Sequence, residues 1–359
     1  MPPSLPGSPF ASRFESIGAV LPEGRLSTAD LMARTSMWAE VDLEDLTGIR
    51  ERRVCGKGED SFTLSVDAAR ECLAHSNYDP ADLEMIVCCS ISKFKDGLNY
   101  VYEPSLSLLV KEAIGAHGAL TFDVANACAG MLTGVYILDD FIRRGAIRCG
   151  MVISGEYITS LAQNAIPHVK TVLSGQLASL TVGDCGAAVL MERSAPGKAA
   201  LGLAGFVTLA KWCDLCIGGA CMDAPGGEMT TDGRKIHAVA IADTPPILAQ
   251  ALKDCGVRYG EIDHFIPHQT STQAITSGNR RLARYFKARP GNIVVNLEEC
   301  GNTASTSHFL ALYRMLTAGR FKAGERVALM ALASGLVTGV ATFVMDELAD
   351  RYGREDTGR

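Results

Sequence analysis

Nowhere in the 359 residues does an uninterrupted apolar run reach the roughly 18 residues that a membrane-spanning helix needs. The first residues, MPPSLPGSPFASRFESIG, also lack the charged segment followed by an apolar one that marks a secretion signal. These two absences predict a soluble, cytoplasmic chain with no membrane partner. Positive charge is short as well: 34 Lys and Arg stand against 40 Asp and Glu, a net charge of -6. A nucleic-acid partner needs clustered cations to neutralise phosphates, so none is expected, and any anionic partner must use a local patch. Paired metal-ligand motifs are missing too. Cys213, Cys216 and Cys221 in CDLCIGGAC contain one Cys-x-x-Cys, half of a zinc site, but no second such pair or His pair follows at metal-site spacing. No metal is expected. The 12 cysteines are scattered through apolar segments such as IVCCSI, which suits buried reduced thiols better than a disulfide framework.

What is present is enough apolar material for a large core: 47% hydrophobic against 21% charged residues. The length suggests about two domains. Short β-branched runs alternate with segments of helical spacing. LEMIVCCSI (83–91), ALTFDVAN (119–126) and CGMVISGE (149–156) read as strands, and SFTLSVDAARECLAHS (61–76) and EPSLSLLVKEAIGA (103–116) as helices. The alternation implies an α/β fold with helices covering a sheet. GDCGAAVLMERSAPGKAA (183–200) ends a strand and dissolves into small residues and Pro196, a seam that divides the chain into halves 1–192 and 193–359. The second half repeats the order of the first. IVCCSI is answered by HFIPHQ, FDVANACAG by VVNLEECGN and MVISGE by ALMALASG, and ERVALMALASGLVTGVATFVM (325–345) reads as a closing strand pair. A duplicated α/β unit is expected.

Three strand-to-helix junctions carry Cys128, His268 and Asn302. Open α/β folds place ligands at such junctions. A thiol at a helix N-terminus meets the positive end of the macrodipole, which favours its thiolate. A neutral imidazole and a carboxamide are suitable donors to a developing enolate or oxyanion. Taken alone, each residue has an ordinary structural explanation: a core thiol, a satisfied core histidine, a turn asparagine. Their joint occurrence at corresponding junctions is what points to chemistry.

TGIRERR (47–53), NACAGM around Cys128, GDCGAAVL (183–190), PHQ around His268, GNTAS around Asn302 and SGLVTGV (334–340) resemble, in order and over nearly the whole chain, the β-ketoacyl-acyl-carrier-protein synthase III family of the thiolase fold. The resemblance implies a five-layered αβαβα homodimer built from two similar halves. It implies an acyl chain carried on Cys128, carbon–carbon bond formation supported by His268 and Asn302, and an oxyanion hole from the N–H groups of Cys128 and Gly335. It implies no bound cofactor: the acyl thioester substrates arrive on the phosphopantetheine of an acyl carrier protein. The departures are informative. His-Gln-Ala-Asn of the family is HQTS here, with Thr270 and Ser271, and the family's glycine triplet is Ala333, Ser334 and Gly335. The tryptophan that many members stack on coenzyme A falls at Asp42, with Trp38 out of register, which favours a carrier-bound donor. Arg280, Arg281, Arg284 and Lys287 fall at spacings that can share a helix face. Arg280 and Arg281 match the family's basic carrier-docking positions.

Glu103, before Pro104, occupies a loop that in this family crosses the dimer interface into the neighbour's acyl pocket. The bland alternative is a carboxylate favoured by the dipole of the following helix. In relatives that join two acyl or β-ketoacyl chains without decarboxylation, a glutamate at this spacing takes the α-proton, work that suits a carboxylate in an apolar tunnel. The expected activity is therefore Claisen coupling of two chains in fatty-acid or polyketide biosynthesis. Decarboxylative condensation with malonyl-carrier protein and acyl transfer to a hydroxyl or amine are the alternatives. Acyltransferases of the family often carry an acid in place of asparagine, so Asn302 favours condensation, and Cys128 argues against a non-catalytic partner subunit. His168 and His308 stand alone and are read as ordinary residues.

Overall fold

The computed structural model describes residues 9–36, 41–195 and 200–352. Trp38 and Pro196 lie outside the described residues. Two five-stranded sheets form the frame. The first contains β1 (Ala11–Val20), β2 (Met85–Cys88), β3 (Leu120–Asp123), β4 (Cys149–Glu156) and β5 (Cys185–Ser194) in the order β1-β5-β4-β2-β3. The second contains β6 (Gly202–Trp212), β7 (His264–Pro267), β8 (Asn292–Ile293), β9 (Arg326–Ala333) and β10 (Gly335–Val344) in the order β6-β10-β9-β7-β8. Each strand of the first sheet has a counterpart five numbers later. The pairing also repeats: the first two neighbouring pairs in each sheet are antiparallel, and β2 and β7 lie parallel to both of their neighbours.

Six longer helices cover the sheets: α1 (Ser61–Ala74), α2 (Leu106–Ile114), α3 (Gly130–Arg143), α4 (Gly233–Asp254), α5 (Thr272–Phe286) and α6 (Ser307–Thr317). Their apolar faces explain the layers. α3 and α6 are buried between the sheets, in one core that includes Met131, Val135, Phe309 and Leu312 beside Val152, Val189, Leu329 and Ala341. α1 and α2 close the outer face of the first sheet through Ala69, Cys72, Leu106 and Val110. α4 and α5 close the outer face of the second through Leu248, Leu252 and Leu282. The arrangement is the five-layered αβαβα thiolase-like fold.

The duplicated unit is visible at residue level, with one correction to the sequence alignment of the halves. β3 leads through the turn Ala127–Ala129 into α3, and Ala127 sits at φ 45. The turn that leads into α6 is Ala304–Thr306, and Ala304 sits at φ 53. The structural counterpart of Cys128 is therefore Ser305, not Cys300, because the second half has a longer connection after its short strand β8.

Candidate active site

The elbow at Cys128 is built by a strand that stops, an alanine in the left-handed region and a helix that begins at a glycine. Gly130 is required there, since a Cβ would lie 2.8 Å from the Cys89 carbonyl oxygen. Asn126 braces the elbow by donating from Nδ2 to Thr133 Oγ1 at 2.8 Å. Cys128 packs against the central core and also against a separate apolar cluster that contains Leu31, Ile158, Ala162, Leu180 and Ala304. Leu161, Ala162, Ala165, Ile166 and Val169 of LAQNAIPHVKTVLSG belong to or pack on that cluster. Although the residue is only half-buried, burial first, and then Cys216 and Glu156 nearby, push the Cys128 thiol up to about 12. Burial thus opposes the thiolate that the helix end favours in the sequence-based expectation.

Two of the family motifs meet backbone to backbone behind this elbow. Val182 and Asn302 form a parallel bridge, with the Asn302 N–H donating to Thr181 O at 2.8 Å and the Gly183 N–H to Asn302 O at 3.1 Å. A Cβ on Gly183 would lie 1.9 Å from Cys300 O, and one on Gly301 2.8 Å from Thr181 O, so both positions need glycine. Asn302 Oδ1 accepts the Ala304 N–H at 3.0 Å, which fixes the carboxamide and leaves Nδ2 as its donor.

His268 follows β7, its N–H donating to Met330 O of β9 at 3.0 Å. The ring is buried, with Nδ1 2.9 Å from Ser307 Oγ at the start of α6, so Nε2 is the nitrogen left for a substrate. It stacks on His308 at 5.7 Å, and burial and His308 hold its pKa down at about 3. His308 contacts Met330 O through Nε2 at 2.9 Å, and burial lowers its pKa to about 4. Both rings are neutral at physiological pH. His308, read from sequence as an ordinary residue that stands alone, is thus stacked on His268; its position one residue after Ser307, in the first turn of α6, was the available signal.

The turn Ala127–Ala129 packs against the turn Ala304–Thr306 and against β9 and β10, which brings Cys128, the Asn302 segment and the start of β10 together. Gly335, at φ 127, opens β10 after the single residue Ser334. Glu103 is placed differently. It is exposed two residues ahead of Ser105, which caps α2 through its own side chain, so the reading of Glu103 as a first-turn carboxylate does not hold. Among the described residues, neither of the apolar clusters that Cys128 packs against includes Glu103. Arg280 and Arg284 of α5 and Lys287 just after it join Arg289 around a shallow pocket of about 440 Å³, while Arg281 is exposed outside that lining. Among the described residues no group of three or more His, Cys, Asp or Glu side chains converges as a metal site, at Cys213, Cys216 and Cys221 or elsewhere, and no helix is long and apolar enough to cross a membrane.

Residues 122–206 match the family described as 3-oxoacyl-[acyl-carrier-protein (ACP)] synthase III, and residues 252–345 match its C-terminal region. A β-ketoacyl-[acyl-carrier-protein] synthase III of Symbiobacterium thermophilum is 31% identical over 350 residues, covering 94% of this chain and 97% of its own. Another from Streptomyces lividans is 28% identical over 338 residues, covering 90% and 92%. Among solved structures, Xanthomonas campestris OleA with bound lauric acid and lauroyl-CoA superposes with a TM-score of 0.82 at 23% identity, covering 93% of this chain and 99% of that one. Cerulenin-bound OleA gives 0.82 at 24% identity, with coverages of 94% and 98%.

Proposed function

The chain belongs to the 3-oxoacyl-[acyl-carrier-protein] synthase III family of condensing enzymes, and on that premise we propose that it joins two acyl or β-ketoacyl chains through Cys128, without decarboxylation. The family's members work on acyl thioesters and acyl carrier protein. Cys128 Sγ attacks the first thioester, the carrier's pantetheine thiol leaves with the proton, and the chain remains on the enzyme. A second thioester enters. Glu103 of a second copy of the chain removes its α-proton, and His268 Nε2–H and Asn302 Nδ2–H hold the enolate oxygen. The enolate carbon attacks the Cys128 thioester, whose oxyanion is held by the N–H groups of Cys128 and Gly335. The carbon–sulfur bond then breaks, and Cys128 recovers a proton as the β-ketoacyl product departs on the second carrier.

The observation that carries the coupling reading is the surface around Glu103. It lies beside Tyr102, which is 82% exposed, and Tyr100, which is 45% exposed. α2, which follows, packs on β3, the edge strand of the first sheet, where Leu120 is 57% exposed. An unpaired strand edge with aromatic and aliphatic neighbours suits a homodimer in which a second copy covers this edge and receives the glutamate. The basic pocket on α5 suits the acidic surface of a carrier protein. Glu103→Gln is expected to abolish condensation and to leave self-acylation of Cys128 intact. Normal condensation by that variant, with isotope-labelled malonyl-carrier losing its label as carbon dioxide, would overturn the coupling reading. It would install the decarboxylative one that the names of the curated relatives favour.

A further inference from the structure

Glu156, the last residue of β4, is fully buried, and among the described residues no Lys, Arg or His pairs with it. Its carboxylate is instead surrounded by donors from three parts of the chain. The Ile91 N–H donates to Oε1 at 2.9 Å and the Ser92 N–H to Oε2 at 3.0 Å. Ser92 Oγ donates to Oε2 at 2.8 Å, and Ser305 Oγ to Oε1 at 2.5 Å. Ser154 lies 3.3 Å from Oε1 and 2.7 Å from Ser305 Oγ. Burial raises the pKa of the carboxyl, and these donors oppose that shift.

Only one of these donors belongs to the second half of the chain, and it sits on the turn that controls the site. Within six residues that turn carries Asn302, whose Oδ1 is held by the Ala304 N–H, then Ser305 on Glu156, then Ser307 on His268 Nδ1. The turn packs against the elbow of Cys128. Cys128 itself is held separately, by its own strand, by Gly130 and by the Asn126–Thr133 bond. We propose that Glu156 is a positioning residue that anchors this turn across the two halves and so sets the orientation of Asn302 and His268, without touching substrate. The proposal rests on the reading of those two residues as the enolate donors.

The geometry makes an isosteric test informative. Both carboxylate oxygens accept a backbone N–H, and a backbone donor cannot reverse. In Glu156→Gln one of the two N–H groups must therefore face the amide nitrogen. The experiment uses the full chain with decanoyl-acyl carrier protein as donor, measuring acylation of Cys128 by intact-protein mass spectrometry and condensation by product release. Glu156→Gln and Ser305→Ala are each expected to lower condensation kcat by about 10- to 100-fold with KM within about threefold of the parent, while acylation stays within about threefold in Ser305→Ala and is unchanged or faster in Glu156→Gln, which also removes a charge that raises the Cys128 thiol; loss of one well-placed donor costs about 100- to 1,000-fold, and a displaced donor costs less. Ser305→Ala retains the carboxylate and every backbone donor, and so remains decisive should Glu156→Gln not fold. Equal loss in both half-reactions, or undiminished condensation by a folded variant, overturns the proposal. Asn302→Ala serves as the reference: condensation at the parental rate by that variant overturns the underlying reading, and the proposal with it.

Discussion

The pH dependence of Cys128 separates two opposing physical effects. An ordinary thiol has a pKa of about 8.5, so about 3% is thiolate at pH 7. Burial, with Cys216 and Glu156 nearby, pushes Cys128 up to about 12. That leaves a thiolate fraction on the order of 10⁻⁵ at pH 7, a change of about 4–5 kcal/mol. The N-terminus of α3 opposes this with about 0.3–1 kcal/mol, or about 2 kcal/mol in favourable buried geometry, so desolvation wins. His268 offers little help as a free base, since its own pKa is held down at about 3. The assay is alkylation by iodoacetamide between pH 6 and 10, followed on the Cys128 peptide by mass spectrometry so that exposed Cys213 does not contribute. The rate is expected to rise about tenfold per pH unit with no plateau below pH 10, because the thiolate is the reactive form. A plateau beginning at pH 7–8 would refute the reasoning and restore the helix-end account. With the expected profile, the proton leaves only as sulfur attacks the incoming thioester.

Stability should fall on the alkaline side. Burial raises Cys72 and Cys88 to about 12 and Cys149 to about 11, whereas the unfolded thiols ionise near 8.5. The folded state therefore binds more protons above pH 8.5. The stability these thiols contribute is complete below that pH and lost as pH rises toward 11–12, at about 1.4 kcal/mol per pH unit for each thiol. A Tm unchanged between pH 8 and 10 would contradict this. Gly155→Ala should destabilise by about 3 kcal/mol in urea titration, because a Cβ there would lie 2.0 Å from the Ser61 carbonyl oxygen of α1, and wild-type stability would show that the two backbones can separate. Arg280→Glu with Arg284→Glu should raise KM for an acyl-carrier donor about tenfold or more and leave an N-acetylcysteamine thioester unaffected; equal effects on both donors would remove the docking role.

The parts of the fold legible in the sequence are those whose burial follows a simple period. CGMVISGE is β4 from end to end, every residue buried, and SFTLSVDAARECLA is α1. β1 was hidden because its interior is polar. Ser12, Glu15 and Ser16 are buried in it, Glu15 being held by Ser76, the Asn77 N–H and Arg351, so its hydropathy does not read as a core strand. α4 was hidden by Pro245 and Pro246 inside a helix of 22 residues, a pair that reads locally as a break. At the site, Cys128 and His268 stand in motifs just past strand ends, and Asn302 stands in a motif just before the turn into α6. Ser305 and Glu156 acquire their contact only when the halves meet, across 149 residues, and within the second half Ser307 reaches His268 across 39 residues while His308 stacks on the same ring.

The duplicated elbow shows how one turn geometry serves two purposes. Ala127 and Ala304 share the same left-handed backbone, and each leads into one of the two helices between the sheets. What differs is the residue that follows and the space around it. Cys128 is half-buried and borders an apolar cluster, which suits a thiol that receives a chain. Ser305 is 1% exposed and bonded to Glu156, so its hydroxyl is committed to structure. A second nucleophile facing the first would compete for the acyl group at the place where the enolate must sit. An anchored serine instead fixes the turn from which Asn302 and, through Ser307, His268 are presented. On the proposed mechanism, the asymmetry between the halves, thiol on one elbow and anchored hydroxyl on the other, gives a symmetric scaffold one acyl acceptor and one set of donors.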